Sequence, residues 1–400
     1  MNECRLILKK LLYPALYFFI FFITCFTGSA QYLKYTANQE IDYIIQQFLN
    51  KLGIVGLNIA VVNNDSIIFN KAYGYKDVEK QSKYSVDDIC WIGSVSKTFV
   101  ATGIMQLVEK GFLELDDDAN KYLNFNLRNP KFPHTPITIR MLLTHKSSIM
   151  DYGPWYSFKF LNPEENTEYY KYYLSFSPGT GYKYCNYNYN ILAAIIENVS
   201  NIRFDVYIEN NITKPLDIYG SYNCNLLDSN KFVTIYHEEN GEMKNSHVPY
   251  KNYEKYLLNS YKPNENLGLL YPAAGMKISA YNLAKYMKMH MDGGMGNSHR
   301  IISEESEFIM RTIEPGTENY GLSFRVYKGI IEGVTMYGQT GGGTLGEKTA
   351  MIFNPVEKYG FVIITNGSKS KYIDGYEDIH KPLIKILYDY LIIHEKTATL

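Results

Sequence analysis

Ser94 and Lys97 stand three residues apart in the stretch Ile92-Gly93-Ser94-Val95-Ser96-Lys97-Thr98-Phe99. On a helix this spacing puts both side chains on one face, with Cβ atoms about 5–6 Å apart. A serine hydroxyl becomes a useful nucleophile once a neighbouring group takes its proton. A lysine can do so when burial or a nearby cation lowers its proton affinity. The free N–H groups at a helix start would then lie where an oxyanion develops. The chemistry this suits is acyl transfer. The plainer reading of the same two residues is a helix-capping serine and a surface lysine. Ser368-Lys369-Ser370-Lys371 shows how cheaply the spacing arises; it follows the turn pair Asn366-Gly367, has no companion motif, and reads as a solvated loop.

The elements around Ser94 are legible as patterns. Val95, Phe99, Ile104, Leu107 and Val108 form an apolar stripe that ends at Gly111, which predicts a helix. Gln39 to Gly53 predicts another, with Ile41, Ile44, Ile45 and Phe48 on its apolar face. Leu57–Val62 and Ile67–Phe69, joined by Asn63-Asn64-Asp65, predict a hairpin. Thr138 to Leu143 reads as a short helix, Pro163 to Tyr173 as a helix with loops, and Ile191 to Val199 as a buried helix. The polar stretch from about Tyr219 to Leu269 reads as excursions over the surface. Ala280 to Met291 is helical again. Leu322–Tyr327, Val334–Tyr337, Thr349–Phe353 and Phe361–Thr365 then form an antiparallel meander, and Pro382–Ile393 closes the chain as an amphipathic helix. The expected layout is one α/β domain over about 35–395, built from both ends of the chain, with a mostly helical insert at about 115–270.

Composition narrows the classes. The formal net charge of −1 gives no support to a nucleic-acid surface. The abundance of tyrosine reads as biased base composition rather than as function. Arg5, Lys9 and Lys10 precede an apolar run from Leu11 to Phe26, and Gly28-Ser29-Ala30 follows. This is the pattern of a signal peptide cleaved after Ala30, or of an uncleaved anchor over 1–30; either way the bulk of the chain is expected outside the cytoplasm. Beyond that segment remain Cys90, Cys185 and Cys224, too few for a disulfide scaffold, so stability must come from a core. The histidines are scattered, and no cluster shows metal-ligand spacing; neither metal nor cofactor is expected. Asn211-Ile212-Thr213 is an acceptor sequence for glycosylation.

Five stretches occur in one order: IGSVSKTF around Ser94, ITIRMLLTH at Ile137–His145, PGTGYKYCNYNYNILAAIIE at Pro178–Glu197, PAAGM at Pro272–Met276, and YGQTGGG at Tyr337–Gly343. Together they resemble the class C β-lactamases and the related D-alanyl-D-alanine carboxypeptidases and esterases, over about Gly56 to Asn366. The Ser-Asp-Asn triplet of class A is absent; Tyr184-Cys185-Asn186 resembles the Tyr-x-Asn that class C enzymes use. The resemblance implies an antiparallel sheet flanked by helices, with Ser94 as acylated nucleophile and Lys97 keeping it reactive. Tyr184 would be general base and acid; with a pKa of about 10, it could act as a base near neutral pH only where a close cation such as Lys97 lowers that value. Asn186 would donate to the substrate and accept from Lys97. Gln339, Thr340 and Gly341 would line the substrate, and the N–H groups of Ser94 and Gly342 would form the oxyanion hole. Cys185 is expected to pack rather than attack.

Two positions depart from the family pattern. Gln339 stands where the family has Lys or His, a cation that helps bind a substrate carboxylate. Ser148 stands where the family often has Gly. The function implied is an exported serine hydrolase acting through an acyl-enzyme on an ester, a peptide next to a D-residue, or a β-lactam, with a small molecule or peptide as substrate and no nucleic acid. The alternative is a binding or sensor protein of the same fold.

Overall fold

Strands from the two ends of the chain pair with each other. In the computed structural model, which describes residues 39–152, 158–247, 261, 267, 270–343, 345–373, 376–377 and 379–393, seven strands form one antiparallel sheet. The basic and apolar N-terminal segment and Tyr250-Lys251-Asn252, a second Tyr-x-Asn, lie outside those residues. The strands are β1 (Gly56–Asn63), β2 (Ser66–Asp77), β3 (Ser82–Lys83), β9 (Arg325–Lys328), β10 (Thr335–Gly342), β11 (Lys348–Asn354) and β12 (Tyr359–Gly367), in the order β3-β2-β1-β12-β11-β10-β9. β1 and β2 make the expected hairpin, and β9 to β12 the expected meander. The join is β1 against β12, where Ile59 faces Ile363 and Val61 faces Phe361. β12 is buried along its whole length, so its nearly continuous apolar run reflects cover on both faces.

Helices fill the space on the face that carries Met351, Phe353, Val362 and Ile364. They are α2 (Ser96–Glu109), α3 (Ile139–Leu143), α4 (Asn186–Ser200), α5 (Phe204–Ile208), α6 (Ala280–Met291) and α7 (Glu304–Arg311), after α1 over 39–52. α2 lies at the centre, and Phe99 stacks on Tyr286 of α6 with ring centroids 3.8 Å apart. Ser303 accepts from Ser306 N to cap α7, and Thr138 accepts from Met141 N to cap α3. Short strands β4 (Cys90–Trp91), β5 (Gly220–Ser221) and β8 (Lys277–Ile278) form a small second sheet, and β6 (Tyr236–Glu239) pairs with β7 (Glu242–Asn245). Leu49–Lys385 forms one compact unit. Residues 39–48 and 386–393 belong to a second, in which Tyr390 OH donates to Glu40 at 3.0 Å.

Three local expectations are corrected. Pro163 to Tyr173 contains only a 3₁₀ turn at Tyr169–Tyr172. The polar stretch after Tyr219 is not all surface, because Tyr222, Val233, Ile235 and Tyr236 are buried. Its aromatic and β-branched residues alternate with polar ones too irregularly to show a period. α4 begins at Asn186, five residues before the apolar run that announced it.

Candidate active site

Gly93 turns the chain from β4 into the 3₁₀ turn Gly93–Val95, with φ +51, a conformation that glycine adopts without a Cβ clash. Ser94 sits on that turn and Lys97 in the first turn of α2. Lys97 is fully buried. Its Nζ donates to Ser94 Oγ at 3.0 Å, to Asn186 Oδ1 at 2.8 Å and to the carbonyl of Ala273 at 2.8 Å. Burial disfavours the ammonium and brings its pKa down to about 7, against the opposing charge of Asp151. An amine with that pKa is a usable proton acceptor near neutral pH.

Tyr184 lies beside this pair, its ring centroid 4.9 Å from Lys97 Nζ. Burial raises the phenol's pKa, and neither its contact with Ser94 nor the charge of Arg325 reverses that. The condition under which Tyr184 could act as a base near neutral pH, a pKa lowered by Lys97, is therefore not met. In a dry site both charged forms are disfavoured, so the amine becomes neutral and the phenol keeps its proton. Under Tyr184 lies His145, with ring centroids 4.2 Å apart. His145 Nδ1 accepts from Cys185 N at 3.1 Å, which assigns the ring proton to Nε2. Burial and the neighbouring Lys97 and Arg325 push its pKa well down, so it is a neutral platform.

α4 delivers three asparagines to this region. Asn186 accepts from Lys97; Asn188 accepts from Ser147 Oγ at 2.7 Å; Asn190 accepts from Ala273 N at 3.2 Å. Asn190 thus holds the residue whose carbonyl receives Lys97, by that residue's N–H. Asp151 faces the start of α4, accepting from Asn186 N at 2.9 Å, Asn186 Nδ2 at 2.8 Å, Tyr187 N at 3.2 Å and Cys185 Sγ at 3.3 Å. Cys185 is buried, as expected of a packing residue. Ser148 takes φ +61, where glycine is the easier residue, and its hydroxyl accepts from Asn129 Nδ2 at 2.9 Å.

β10 runs past Ser94 with its glycines against the turn. A Cβ added at Gly341 would lie 2.0 Å from Ile92 O and 2.9 Å from Ser94 N; one added at Gly93 would lie 2.8 Å from Gly342 N. The amides of Ser94 and Gly342 can converge here only because no side chain intervenes. β9 pairs with β10 through Thr335 to Gly338, so among the described residues the β9 side of Gln339 to Gly342 carries no strand. Thr340 is half-buried there and faces the opposite side of the strand from Gln339. Gln339 does not present its amide to this edge. It is buried, pairs with core residue Met351, donates through Nε2 to Tyr320 OH at 2.9 Å and Ser323 O at 3.1 Å, and accepts from Thr340 N. Its expected place as a substrate-binding side chain is corrected on that ground. A cation near the edge is Arg325, half-buried on β9, whose guanidinium carbon lies 5.2 Å from the Tyr320 ring centroid and 5.9 Å from that of Tyr184.

The model of the family described as β-lactamase matches residues 41–380. The chain belongs to the β-lactamase family. A relative of this β-lactamase-family protein is Protein flp of Staphylococcus aureus, 27% identical over 374 residues, or 91% of this chain and 68% of that one. Among solved structures, the octameric penicillin-binding protein homologue of Pyrococcus abyssi superposes with a TM-score of 0.68 at 25% identity, covering 87% of this chain and 76% of its own. The D-amino acid amidase of Ochrobactrum anthropi shares the fold, with a TM-score of 0.67 at 18% identity over 91% of this chain and 99% of its own. The activity class of the family is that of a serine hydrolase.

The structure brings Ser94, Lys97, Tyr184, Asn186, Gly341 and Gly342 of this family member together and turns Gln339 away. Sequence reasoning missed His145, Asp151, Asn188, Asn190 and Arg325. For the asparagines a signal existed: Asn186-Tyr187-Asn188-Tyr189-Asn190 opens a helix that is buried all round, and buried amides need partners.

Proposed function

We propose that the protein cleaves ester or amide bonds through an acyl-enzyme on Ser94. The observation that carries this is Lys97 Nζ at 3.0 Å from Ser94 Oγ in a buried setting that brings the amine's pKa to about 7. Neutral Lys97 takes the hydroxyl proton as Ser94 Oγ bonds to the acyl carbon. The N–H groups of Ser94 and Gly342 hold the oxyanion. Protonated Tyr184 gives its proton to the leaving group as the scissile bond breaks, and the Lys97 ammonium beside it returns the proton taken from Ser94 to the phenolate. Water then releases the acyl group by the reverse transfers. The open edge of β10 supports binding of an extended substrate as an added strand.

A substrate bearing a carboxylate on its leaving-group side is part of the proposal, with Arg325 in the role that Gln339 does not fill. A guanidinium has five donors, enough to serve both Asn319, which it meets at 3.2 Å, and a carboxylate. D-amino-acid peptides and β-lactams have this feature, and the penicillin-binding name of the Pyrococcus homologue supports them. Arg325→Gln is expected to slow acylation by a penicillin about tenfold or more, the worth of one charge-assisted hydrogen bond. Turnover of neutral p-nitrophenyl acetate should stay within about twofold, since the acyl-transfer groups are untouched. Export is proposed with it, supported by the basic, apolar and small-residue succession over 5–30.

Mass spectrometry after exposure to a fluorophosphonate and to a fluorescent penicillin tests the proposal. Rapid labelling at Ser94 with later release of the penicilloyl group is expected, and Ser94→Ala should take no label. A penicilloyl adduct that persists would favour the sensor reading. Absence of any Ser94 adduct would overturn acyl transfer.

A further inference from the structure

Resting on the reading of Ser94 as nucleophile, the geometry points to Asp151 as a positioning residue that acts through Asn186 and Lys97. It holds the Asn186 amide in the one orientation that serves both the lysine and a substrate. The buried amide of Asn186 has two ends that a flip would exchange. As placed, Oδ1 faces the Lys97 amine at 2.8 Å and Nδ2 faces Asp151 Oδ2 at 2.8 Å. Flipped, the NH2 would meet the lysine donors and the carbonyl would meet the carboxylate, both repulsive. Asp151 takes one of the two Nδ2 protons, which leaves the second to aim at a substrate carbonyl.

The same carboxylate accepts from Asn186 N and Tyr187 N, so it anchors the start of α4 from a separate segment of chain. Negative charge is favourable at that end of a helix. Four donors converge on one side chain next to the chemistry, whereas Cys185, the residue between Tyr184 and Asn186, offers only its thiol at 3.3 Å. The groups that face Lys97 are Ser94 at the start of its helix, Tyr184 and Cys185 on the approach to α4, Tyr189 on α4, His145 beyond α3, and Asp151. Asp151 is the carboxylate among them. Its charge opposes the burial that drives Lys97 toward neutrality.

The test is the rate of Ser94 labelling by a fluorophosphonate as a function of pH, which needs no knowledge of the natural substrate. Asp151→Asn should move the acid limb of that profile to lower pH by about half a unit to one unit, because the ammonium loses its counter-charge. It should also lower the plateau rate about tenfold, because the amide is no longer fixed. Asp151→Ser keeps an oxygen that can cap α4 and should show the same limb shift, which covers the case in which Asp151→Asn fails to fold. In an Asn186→Ala background, Asp151→Asn should cost much less in plateau rate than it does alone. A purely structural role would lower the melting temperature and leave the limb in place. An unmoved limb in the folded variants, or additive plateau losses, would overturn the role of Asp151. A wild-type protein that takes no label would instead overturn the nucleophile reading itself.

Discussion

Lys97→Met is expected to cut the rate of Ser94 labelling by about a thousandfold and, at pH 6, to leave the fold at least as stable as wild type. The first effect follows from removing the base 3.0 Å from the hydroxyl. The second follows from linkage. Burial brings the pKa of Lys97 down to about 7 in the folded chain, against its ordinary value of 10.5 when unfolded. Between those values the unfolded chain binds the extra proton, so stability rises with pH through that window. At pH 6 the cost of desolvating the ammonium is fully present, on the order of a few kcal/mol. It is offset in part by the hydrogen bonds to Asn186 and Ala273, which methionine also loses. Thermal melts at pH 6 and pH 9 should therefore show an advantage for Lys97→Met at pH 6 that shrinks or reverses at pH 9. A variant much less stable than wild type at pH 6 would mean that the lysine's bonds outweigh its desolvation.

Gly341→Ala is expected to reduce acylation by a hundredfold to a thousandfold, roughly the loss of one oxyanion donor. The added Cβ would sit 2.0 Å from Ile92 O and 2.9 Å from Ser94 N, and both obstacles are backbone. Nothing flexible can swing aside, so β10 must move away from the turn that holds Ser94 and take the Gly342 amide with it. Labelling kinetics with the fluorophosphonate read the loss directly. Gly111→Ala, whose Cβ meets nothing within 4 Å, is the control for a glycine whose demand is only its φ of +70. Equal acylation rates in Gly341→Ala and wild type would remove the Gly342 amide from the hole.

How much of this was legible before the structure depended on the kind of interaction. Ser94, Lys97, Tyr184 and Asn186 were found because their types and spacing carry chemistry wherever they occur. The sheet was found because alternating β-branched residues between Gly, Asn and Pro leave few other options. The proton inventory was not legible. Whether Lys97 or Tyr184 stays neutral depends on desolvation, and the burial that decides it for Lys97 is supplied by His145, Tyr189 and α4, more than forty residues away from the lysine in sequence. Gln339 was misplaced for a similar reason. A glutamine at a cation's position looks like a weakened ligand, and only the turn at Ser323, with its φ of +83, shows where the amide goes. Asp151 is a single acid in an unpatterned stretch, and nothing local marks it.

The short overlap of β9 with β10 separates two kinds of change that a lineage can accumulate. In the proposed reading bond making rests on a turn, two helices and a run of glycines. Charge recognition falls, in that same reading, to Arg325 on the neighbouring strand, which meets β10 only as far as Gly338. Substitutions on that outer ribbon can retune which molecules are selected while the reactive centre stays intact. Diversification of preference within this scaffold can therefore proceed by edits at one edge, without passing through inert ancestors.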